Sequence, residues 1–345
     1  MLTYRIGSFN LRNLGFSVFD ETNKRDLKKI ADIIRGENFD VVALQEVLSE
    51  GKAFTLGDFG FAKKSILMEL GRDQWDFEWA YAGGENDWRY EGYAFIWNKK
   101  RLRLCTTNVV TPLGIQERTF YPRMLKISRN KMLRMPYYAR FTANGLPGGT
   151  NVEFRLICIH TYFGKNDDER DRAIRQRELD ILLKEIYPQI TDRRYGYPMT
   201  AYTILLGDYN AELWTTDSSK WLSFLNNQKR FKPPAIMNTD LNGEVVSEKY
   251  NGRKIKTVQY ELTTLKRKPN GKSGEVFDSG GFANSYDHFS YETDKFKDVK
   301  IHVKRIREAV TKYCKPFNGD YNSDFEKYYT TISDHIPIMM EIELR

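Results

Sequence analysis

Residues 152–162 of this 345-residue chain read VEFRLICIHTY, a run in which large apolar and β-branched side chains precede a histidine. Short runs of this composition, bounded by polar residues, are typical of β-strands buried in a sheet. Six further runs share this character, so seven strands are predicted: residues 6–11, 41–47, 93–97, 152–162, 202–206, 286–291 and 336–344.

Helical patterns lie between these strands. Two sets of four apolar residues follow the i, i+3, i+4, i+7 spacing of one helix face: Leu27, Ile30, Ala31 and Ile34, then Leu179, Leu182, Leu183 and Ile186. Strands and helices intermix along the chain, as in α/β proteins. Segments 111–133 and 231–281 have weak periodicity and are predicted to be long surface connections.

The composition is that of a globular protein, because 41% of the residues are hydrophobic and 14% are aromatic. Proline and glycine are spread along the chain, so residues 1–345 are predicted to form a single domain. The sequence MLTYRIGSFN does not have the pattern of a secretory signal, and no apolar run is long enough to span a membrane. A cytoplasmic protein without a membrane partner is expected.

The net charge of +8 and the pI near 9.1 indicate a polyanionic partner, since Lys and Arg neutralise phosphates and release counterions. Cys105, Cys158 and Cys314 are far apart and form no CxxC pair. Neither a disulfide framework nor a zinc site is therefore indicated, and no feature signals an obligate protein partner.

Polar and ionisable residues stand beside the ends of five of the strands. They are Asn10 and Arg12 in SFNLRN, Gln45 and Glu46 in VVALQEV, His160 in LICIHTYF, Asp208 and Asn210 in TILLGDYN, and Asp334 and His335 in TISDHIPI. Singly, each has an ordinary explanation, because Asp and Asn often form turns after strands and a lone strand histidine is usually structural. Together they are the set needed to hold a hard cation and to move protons on a phosphate ester.

The ordered motifs SFN, LQEV, a strand ending in histidine, GDYN and SDH resemble the signature of the endonuclease/exonuclease/phosphatase superfamily, and they extend over almost the whole chain. Two further segments resemble the deoxyribonuclease I branch. YEGYAFIWN carries Glu91 before an aromatic strand, and ANSYDHFSY carries Asp287. Arg12, and Arg134 in RMPYYARF, resemble two phosphate-contacting positions of that branch.

The resemblance implies an α/β fold of two packed, mostly antiparallel β-sheets flanked by helices, a four-layer α/β/β/α sandwich that forms one catalytic domain over residues 1–345. It implies a divalent-metal-dependent phosphodiesterase, an endonuclease that hydrolyses the DNA backbone. The partner would be nucleic acid, with DNA the first choice. The cofactor would be Mg²⁺ or Mn²⁺, with Ca²⁺ as a structural or auxiliary ion.

Two groups of site residues carry the proposed metal and acid–base chemistry. Glu46, with Asn10 and Asp334 nearby, is hypothesised to bind the cation, since hard oxygen ligands suit these ions. By resemblance, Glu91 orients His160 and Asp287 orients His335, so that each carboxylate fixes an imidazole tautomer.

The remaining site residues would contact substrate and water. The resemblance implies that Asp208 and Asn210 position the attacking water and hydrogen-bond a phosphoryl oxygen, while Arg12 and Arg134 bind substrate phosphates without reading bases. Asp208 is one candidate for the general base, and the choice stays open. His288 and His302 fall on no family motif and are predicted to be structural or surface residues.

The substrate stays open between several classes. The residues after His160 read TYFGKNDD, and a basic segment occupies 253–272; both depart from the deoxyribonuclease I pattern. The alternatives are a phosphoesterase of the same superfamily acting on RNA, abasic DNA, phosphoinositide or sphingomyelin, and a non-catalytic family member that only binds nucleic acid. The presence of both histidines and all the carboxylates argues against the last of these.

Overall fold

The computed structural model of the chain describes residues 2–14, 25–48, 65–82, 91–105, 107–110, 116–119, 122–125, 127, 132–144, 152–164, 169–195, 199–211, 244–250, 253–258, 263–265, 284–313 and 321–344. Cys314 and the basic residues at 266–272 lie outside these ranges.

Sixteen strands are formed within the described ranges. They are β1 (Leu2–Leu14), β2 (Val41–Leu48), β3 (Trp75–Tyr81), β4 (Glu91–Asn98), β5 (Leu102–Leu104), β6 (Thr107–Val110), β7 (Gln116–Thr119), β8 (Arg123–Met124), β9 (Tyr137–Ala143), β10 (Val152–His160), β11 (Thr200–Asp208), β12 (Glu244–Tyr250), β13 (Arg253–Val258), β14 (Asp287–Glu292), β15 (Val299–Arg305) and β16 (Ile338–Leu344).

The described α-helices are α1 (Leu27–Gly36), α2 (Ile66–Leu70), α3 (Glu169–Ile181), α4 (Tyr187–Thr191), α5 (Ala309–Lys312) and α6 (Tyr321–Thr331). A π-helical turn, Leu182–Ile186, joins α3 to α4. Asp26 caps α1 by accepting a hydrogen bond from the Lys29 amide, which satisfies a free N–H of the first turn. Among the described residues, no helix has the length and apolar character needed to cross a membrane.

The strands assemble into two large sheets and one hairpin. The first sheet has the order β15-β16-β1-β2-β4-β3. The second has the order β12-β13-β14-β11-β10-β9-β5, and β8 pairs with β9 at its side. β6 and β7 form the hairpin. Both large sheets are mostly antiparallel, as the resemblance implied, with one parallel pair in each: β1 with β2, and β10 with β11.

The two sheets pack face to face, with helices on their outer faces. Alternate residues of β10 show this division, because Leu156 enters the core between the sheets while Ile157 packs against the helical segment around Leu182. Helices α1, α2, α5 and α6 cover the outer face of the first sheet. A strand covered on both faces must be apolar on both, which explains the continuous apolar run in VEFRLICIH. The predicted four-layer sandwich is confirmed.

The two parallel pairs determine where the polar strand ends lie. In the first sheet Asn10 of β1 pairs with Gln45 of β2, and in the second His160 of β10 pairs with Asp208 of β11. Because parallel strands end on the same side, each pair delivers its polar residues to a single edge. A hydrogen bond from Asn10 to Asp208 joins these two edges.

All seven predicted strands and both predicted helical segments are confirmed. The prediction that 111–133 and 231–281 are connections is wrong in part, because β7, β8, β12 and β13 lie within them. These strands contain polar or charged residues and are short, so their hydrophobic pattern is weak. Their hydrogen bonds come from neighbouring strands, which local periodicity does not report.

A glycine in β11 fixes the register that places His160 opposite Asp208. Gly207 has φ +143°, and a Cβ built there would lie 2.0 Å from the carbonyl oxygen of Ile159. We expect Gly207→Ala to lower the free energy of unfolding by at least about 2 kcal/mol, measured by urea denaturation. Gly71→Ala is the matched control, because φ is +94° there but no atom lies within 4 Å of the added Cβ. Equal losses in the two variants would contradict the packing argument.

Candidate active site

Backbone strain concentrates at the strand ends. Among the described residues, five non-glycine residues have positive φ: Arg12, Asn13, Asn38, Glu46 and Asn210. Four of the five belong to the polar strand ends, and only Asn38 lies elsewhere. The register of β2 shifts around Glu46 against both of its neighbours. A bulge of this kind re-aims a side chain, so it turns Glu46 toward the site.

Asn10 links the two sheets at the centre of the site. Its Nδ2 donates to Oε1 of Glu46 at 2.9 Å and to Oδ2 of Asp208 at 3.0 Å. Its Oδ1 accepts from the Arg12 amide at 2.9 Å, which fixes the orientation of the side chain. A neutral amide donor thus stands between two carboxylates that would otherwise repel each other.

Glu46 has one side-chain oxygen on Asn10, and the other accepts from the Asn13 amide at 3.0 Å. The side chain is only 19% exposed. Burial raises the pKa of Glu46, and the nearby carboxylates of Glu91 and Asp334 add to this effect although His160 opposes it. A buried carboxylate whose pKa is raised in this way favours a cation partner.

His160 is held at its Nδ1 by Glu91 Oε1 at 2.5 Å. Glu91 in turn accepts from Nε of Arg134 at 2.9 Å. Burial acts to raise the pKa of Glu91, but Arg134 and His160 outweigh it and lower that pKa to about 2. Burial likewise acts to lower the pKa of His160, and Glu91 outweighs it, so this pKa is raised. The sequence-predicted pair of His160 and Glu91 is therefore formed.

His335 repeats this arrangement from the other side of the site. Its Nδ1 lies 2.8 Å from Oδ2 of Asp287. The hydroxyl of Thr263 accepts from the Asp287 amide at 3.2 Å, which holds the start of β14. Burial opposes the charged imidazole, but Asp287 and Asp208 outweigh it and raise the pKa of His335 well above its ordinary value. The second predicted pair is also formed.

Both imidazoles face the same carboxylate oxygen. Nε2 of His160 and Nε2 of His335 each lie 3.7 Å from Oδ2 of Asp208. Asp208 is itself buried, and its Oδ1 accepts from the Asn210 amide at 2.8 Å. Nδ2 of Asn210 donates to the Thr161 carbonyl at 2.8 Å. The arrangement leaves two Nε2 atoms directed at one point, which suits proton transfer to and from a bound ester.

Two overlapping groups of side chains have ligand atoms close enough to hold a metal ion. Glu46, His160 and Asp208 form one, and Asp208, Asp287 and His335 form the other; within each, the atoms lie within 4.8 Å of one another. Glu46 and Asp208 offer the oxygen ligands that a hard cation prefers. The first group therefore fits a divalent ion better, since it offers two carboxylates that hold no histidine at Nδ1, whereas Asp287 of the second group is paired with His335.

Arg12 and Asp334 lie together at the rim. Nε of Arg12 is 3.2 Å from Oδ2 of Asp334, and its guanidinium lies 4.2 Å from the ring centroid of Tyr329. Nη2 of Arg25 donates to the Arg12 carbonyl at 2.8 Å. Oδ1 of Asp334 is 4.0 Å from Nε2 of His335. These contacts hold the Arg12 guanidinium at the edge of the site.

Arg134 contacts a carboxylate of the site, which the sequence did not suggest. Besides contacting Glu91, it donates from Nη1 to the Thr161 carbonyl at 3.2 Å. Its guanidinium thus orients Glu91, and Glu91 in turn orients His160. The predicted phosphate contact would have to come from its remaining N–H groups.

Several supporting residues were missed by sequence reasoning. The hydroxyl of Tyr93 accepts from the His160 amide at 2.9 Å, and the carboxylate of Glu178 accepts from the Leu133 and Tyr162 amides. The hydroxyl of Ser333 donates to the Asn10 carbonyl at 2.7 Å. The serine of SDH and Tyr93 of YEGYAFIWN stood on recognised motifs but were not assigned a role. Glu178 stood on an ordinary helix pattern.

The two remaining histidines have no place at this centre. His288 is buried, with its ring nitrogens 3.1 Å from the Val258 carbonyl and 2.9 Å from the Ala211 carbonyl. Burial lowers its pKa. His302 is exposed and lies 3.4 Å from Glu343. Both agree with the predicted structural or surface roles.

Comparison with solved structures finds chains of similar fold and low identity. An endonuclease/exonuclease/phosphatase family protein from Bacteroides thetaiotaomicron is 14% identical, with 100% of this chain and 98% of that chain covered and a TM-score of 0.47. ANGEL2, a 2′,3′-cyclic phosphatase in complex with adenosine-2′,3′-vanadate, is 14% identical, with 99% and 96% covered and a TM-score of 0.48. The mannosyl-6-phosphatase from Bacteroides thetaiotaomicron VPI-5482 is 16% identical, with 98% and 99% covered and a TM-score of 0.43.

A search of curated proteins gives no match. A family model described as the Endonuclease/Exonuclease/phosphatase family matches residues 7–257. This match spans well over half of the chain and includes β1, β2, β10 and β11, whose ends form the site. The protein therefore belongs to the endonuclease/exonuclease/phosphatase family, whose members are phosphoesterases.

Proposed function

We propose that this protein is a divalent-metal-dependent phosphodiesterase that hydrolyses the DNA backbone, as an endonuclease of the deoxyribonuclease I type. The observation that carries the proposal is the pair of imidazoles, each backed by a carboxylate at Nδ1, that face one oxygen of Asp208. Two proton-transfer groups at one point match a reaction in which water loses a proton and a leaving oxygen gains one.

The proton-transfer roles follow from the charges around each imidazole. Glu91 and Asp287 favour the protonated rings, so a His160 or His335 imidazolium is available to stabilise negative charge on the phosphate and to protonate the leaving oxygen. Asp208 lies between the rings and is proposed to orient the attacking water. Asn210, at the end of the same strand, is proposed to hydrogen-bond a phosphoryl oxygen.

The acidic side of the site is proposed to hold Mg²⁺ or Mn²⁺, with Ca²⁺ as an auxiliary ion. Members of the family are generally divalent-metal dependent. Glu46 is proposed to supply the principal ligand oxygen, and Asn10, Asp208 and Asp334 are proposed to lie around the ion. When bound, the ion would neutralise charge on the phosphate and lower the pKa of a coordinated water.

Arg12 supports a polyanionic substrate. Its guanidinium is held against Tyr329 at the rim and is 31% exposed, so a phosphate next to the reacting one can reach it. The basic surface charge favours the same class of partner. Arg134 is proposed to add a weaker contact from its free N–H groups. We further propose that residues 1–345 form a single catalytic domain located in the cytoplasm.

Plasmid nicking tests the reaction. Purified protein is expected to nick supercoiled plasmid in Mg²⁺ or Mn²⁺, and EDTA is expected to abolish nicking. His160→Ala and Asp208→Ala should each lower the rate by at least about 100-fold, because each removes a group at the reacting centre. His302→Ala is the matched control and should retain full activity. A wild-type protein that leaves the plasmid intact but cleaves RNA, abasic DNA or a small phosphate ester would overturn the choice of DNA.

Thermal unfolding tests the metal site without turnover. Mg²⁺ or Mn²⁺ should raise the Tm of the wild type, because an ion bound only to the folded state stabilises that state. Glu46→Gln removes the principal ligand charge while keeping the shape, so the ion-dependent rise should be lost. Glu343→Gln, a partly exposed carboxylate of β16 that lies beside His302, should leave the rise intact. A full rise in the Glu46 variant would remove Glu46 from the metal site.

The pH response of His160 follows from its pair with Glu91. Since the folded pKa of His160 is raised and that of Glu91 is lowered, the stabilisation by this pair is complete between the ordinary values of 4.5 and 6.5. It is lost as the pH rises through the folded pKa of His160, and also as the pH falls toward the folded pKa of Glu91. In EDTA, NMR titration should give a midpoint above the ordinary histidine value of 6.5 in the wild type and a lower one in Glu91→Gln. The loss of unfolding free energy in this variant should be larger between pH 4.5 and 6.5 than above the folded pKa of His160. Identical midpoints would show that the pair does not control His160.

A further inference from the structure

An aromatic pair stands beside the proposed phosphate site. Phe163 is 40% exposed and is one of three large hydrophobic side chains that are exposed within the described residues. Its ring centroid lies 6.1 Å from that of Tyr286, with the ring planes tilted by 60°. A single exposed phenylalanine is ordinary on a protein surface. The position and the rigid support of this one set it apart.

Phe163 and Tyr286 lie on the chain segments that carry the acid–base pairs. Phe163 follows His160 by three residues, so about 10 Å of chain at most separates their Cα atoms. Tyr286 directly precedes Asp287, the carboxylate that pairs with His335. The two aromatic rings therefore extend from the two chain segments that carry the acid–base pairs. A group attached to a phosphate at Asp208 would come within reach of them.

Hydrogen bonds hold the backbone at both rings in place. The carbonyl of Phe163 accepts from Nη1 of Arg175 at 3.1 Å. The backbone amide of Tyr162 donates to the carboxylate of Glu178 at 2.7 Å. Both supporting side chains lie in α3 and are buried. The carbonyl of Tyr286 accepts from the Tyr209 amide at 2.7 Å. An exposed ring on a fixed backbone loses little entropy when it binds a ligand.

The chemistry of the platform suits a nucleoside phosphate. The buried Arg175 guanidinium lies 5.7 Å from the centroid of the Phe163 ring, so a positive charge stands close to this ring. A nucleoside joined to the reacting phosphate carries both a flat π face and a negative charge. Bases in a duplex are already stacked on their neighbours, so only an unpaired base can lie on these rings. The segment TYFGKNDD, which departs from the deoxyribonuclease I pattern, supplies the phenylalanine.

We propose that Phe163 and Tyr286 form a stacking platform for an unpaired nucleobase next to the scissile phosphate, which gives the enzyme a preference for single-stranded nucleic acid over duplex. The proposal rests on the proposed phosphodiesterase function, and it names the substrate class of the same site. Phe163 acts in substrate specificity and takes no part in proton transfer.

Equilibrium binding in EDTA tests the platform without turnover. The probe is a short, fluorescently labelled single-stranded oligonucleotide, and binding is followed by fluorescence anisotropy. We expect Phe163→Ala and Phe163→Leu to raise the Kd by about tenfold, since a lost base–aromatic stack has an effect of this size. Phe163→Tyr keeps an aromatic ring and should have the Kd of the wild type. Met68→Ala removes an equally exposed apolar side chain far along the chain, on α2, and should leave the Kd unchanged.

A second probe distinguishes the loss of base stacking from a general loss of oligonucleotide binding. In an otherwise identical oligonucleotide that lacks its bases, the tenfold difference between the wild type and Phe163→Leu should shrink to less than about twofold. The wild type should also bind the single strand more tightly than the duplex of the same sequence, and Phe163→Leu should narrow that gap. An unchanged Kd in Phe163→Leu, or an equal loss on the probe without bases, would overturn the platform.

Cleavage is measured separately in Mg²⁺ with the same strands. Absence of cleavage by the wild type would contradict the proposed hydrolysis, whereas the anisotropy result would still decide whether the rings bind a base. If the wild type cleaves single strand and duplex equally, and Phe163→Leu binds the single strand with the wild-type Kd, the platform is ruled out. The proposed phosphodiesterase activity would still stand. The two failures are thus distinguishable.

Discussion

One amide group holds the candidate site together. Nδ2 of Asn10 donates its two hydrogens to Glu46 and to Asp208, which come from different sheets. Two carboxylates brought this close repel each other unless a donor or a cation lies between them. The position of Asn10 therefore depends on the packing of the two sheets, and Asn10 fixes the carboxylates of Glu46 and Asp208 relative to each other. Asp208 then serves as the common neighbour of both imidazoles.

The backbone carries the strain that this arrangement requires. Glu46 and Asn210 have positive φ, and a bulge in β2 turns Glu46 out of the strand register. Such conformations persist only where many other contacts impose them. Here the apolar core between the sheets and the helices on their outer faces supply those contacts. A rigid scaffold of this kind holds charged groups in place before substrate arrives, which is the main requirement of electrostatic catalysis.

Arg134 shows how a residue can be correctly noticed and incompletely understood. Its sequence context resembled that of a phosphate-binding arginine, and the residue does lie at the site. Its strongest contact is nevertheless Glu91, and through Glu91 it influences the charge of His160. Asp334 is similar, because it was expected beside the metal and is paired with Arg12. In both cases the residue type was informative, but the partner depended on side-chain geometry.

The sequence by itself determined the strands of the core and the polar residues at their ends, because burial on both faces requires a continuous apolar run and because polar groups stand where burial ends. The strands β3 and β15 were not predicted, although residues 299–305, VKIHVKR, alternate apolar and polar side chains as a half-buried strand does. Their pairing with β4 and β16 is set by the tertiary structure. The resemblance predicted which carboxylate holds which histidine, and the structure forms both pairs. Only the tertiary structure decided that both imidazoles face one oxygen of Asp208. Asn10 and Asp208 are 198 positions apart, and their contact follows from the packing of two sheets, which no local pattern encodes.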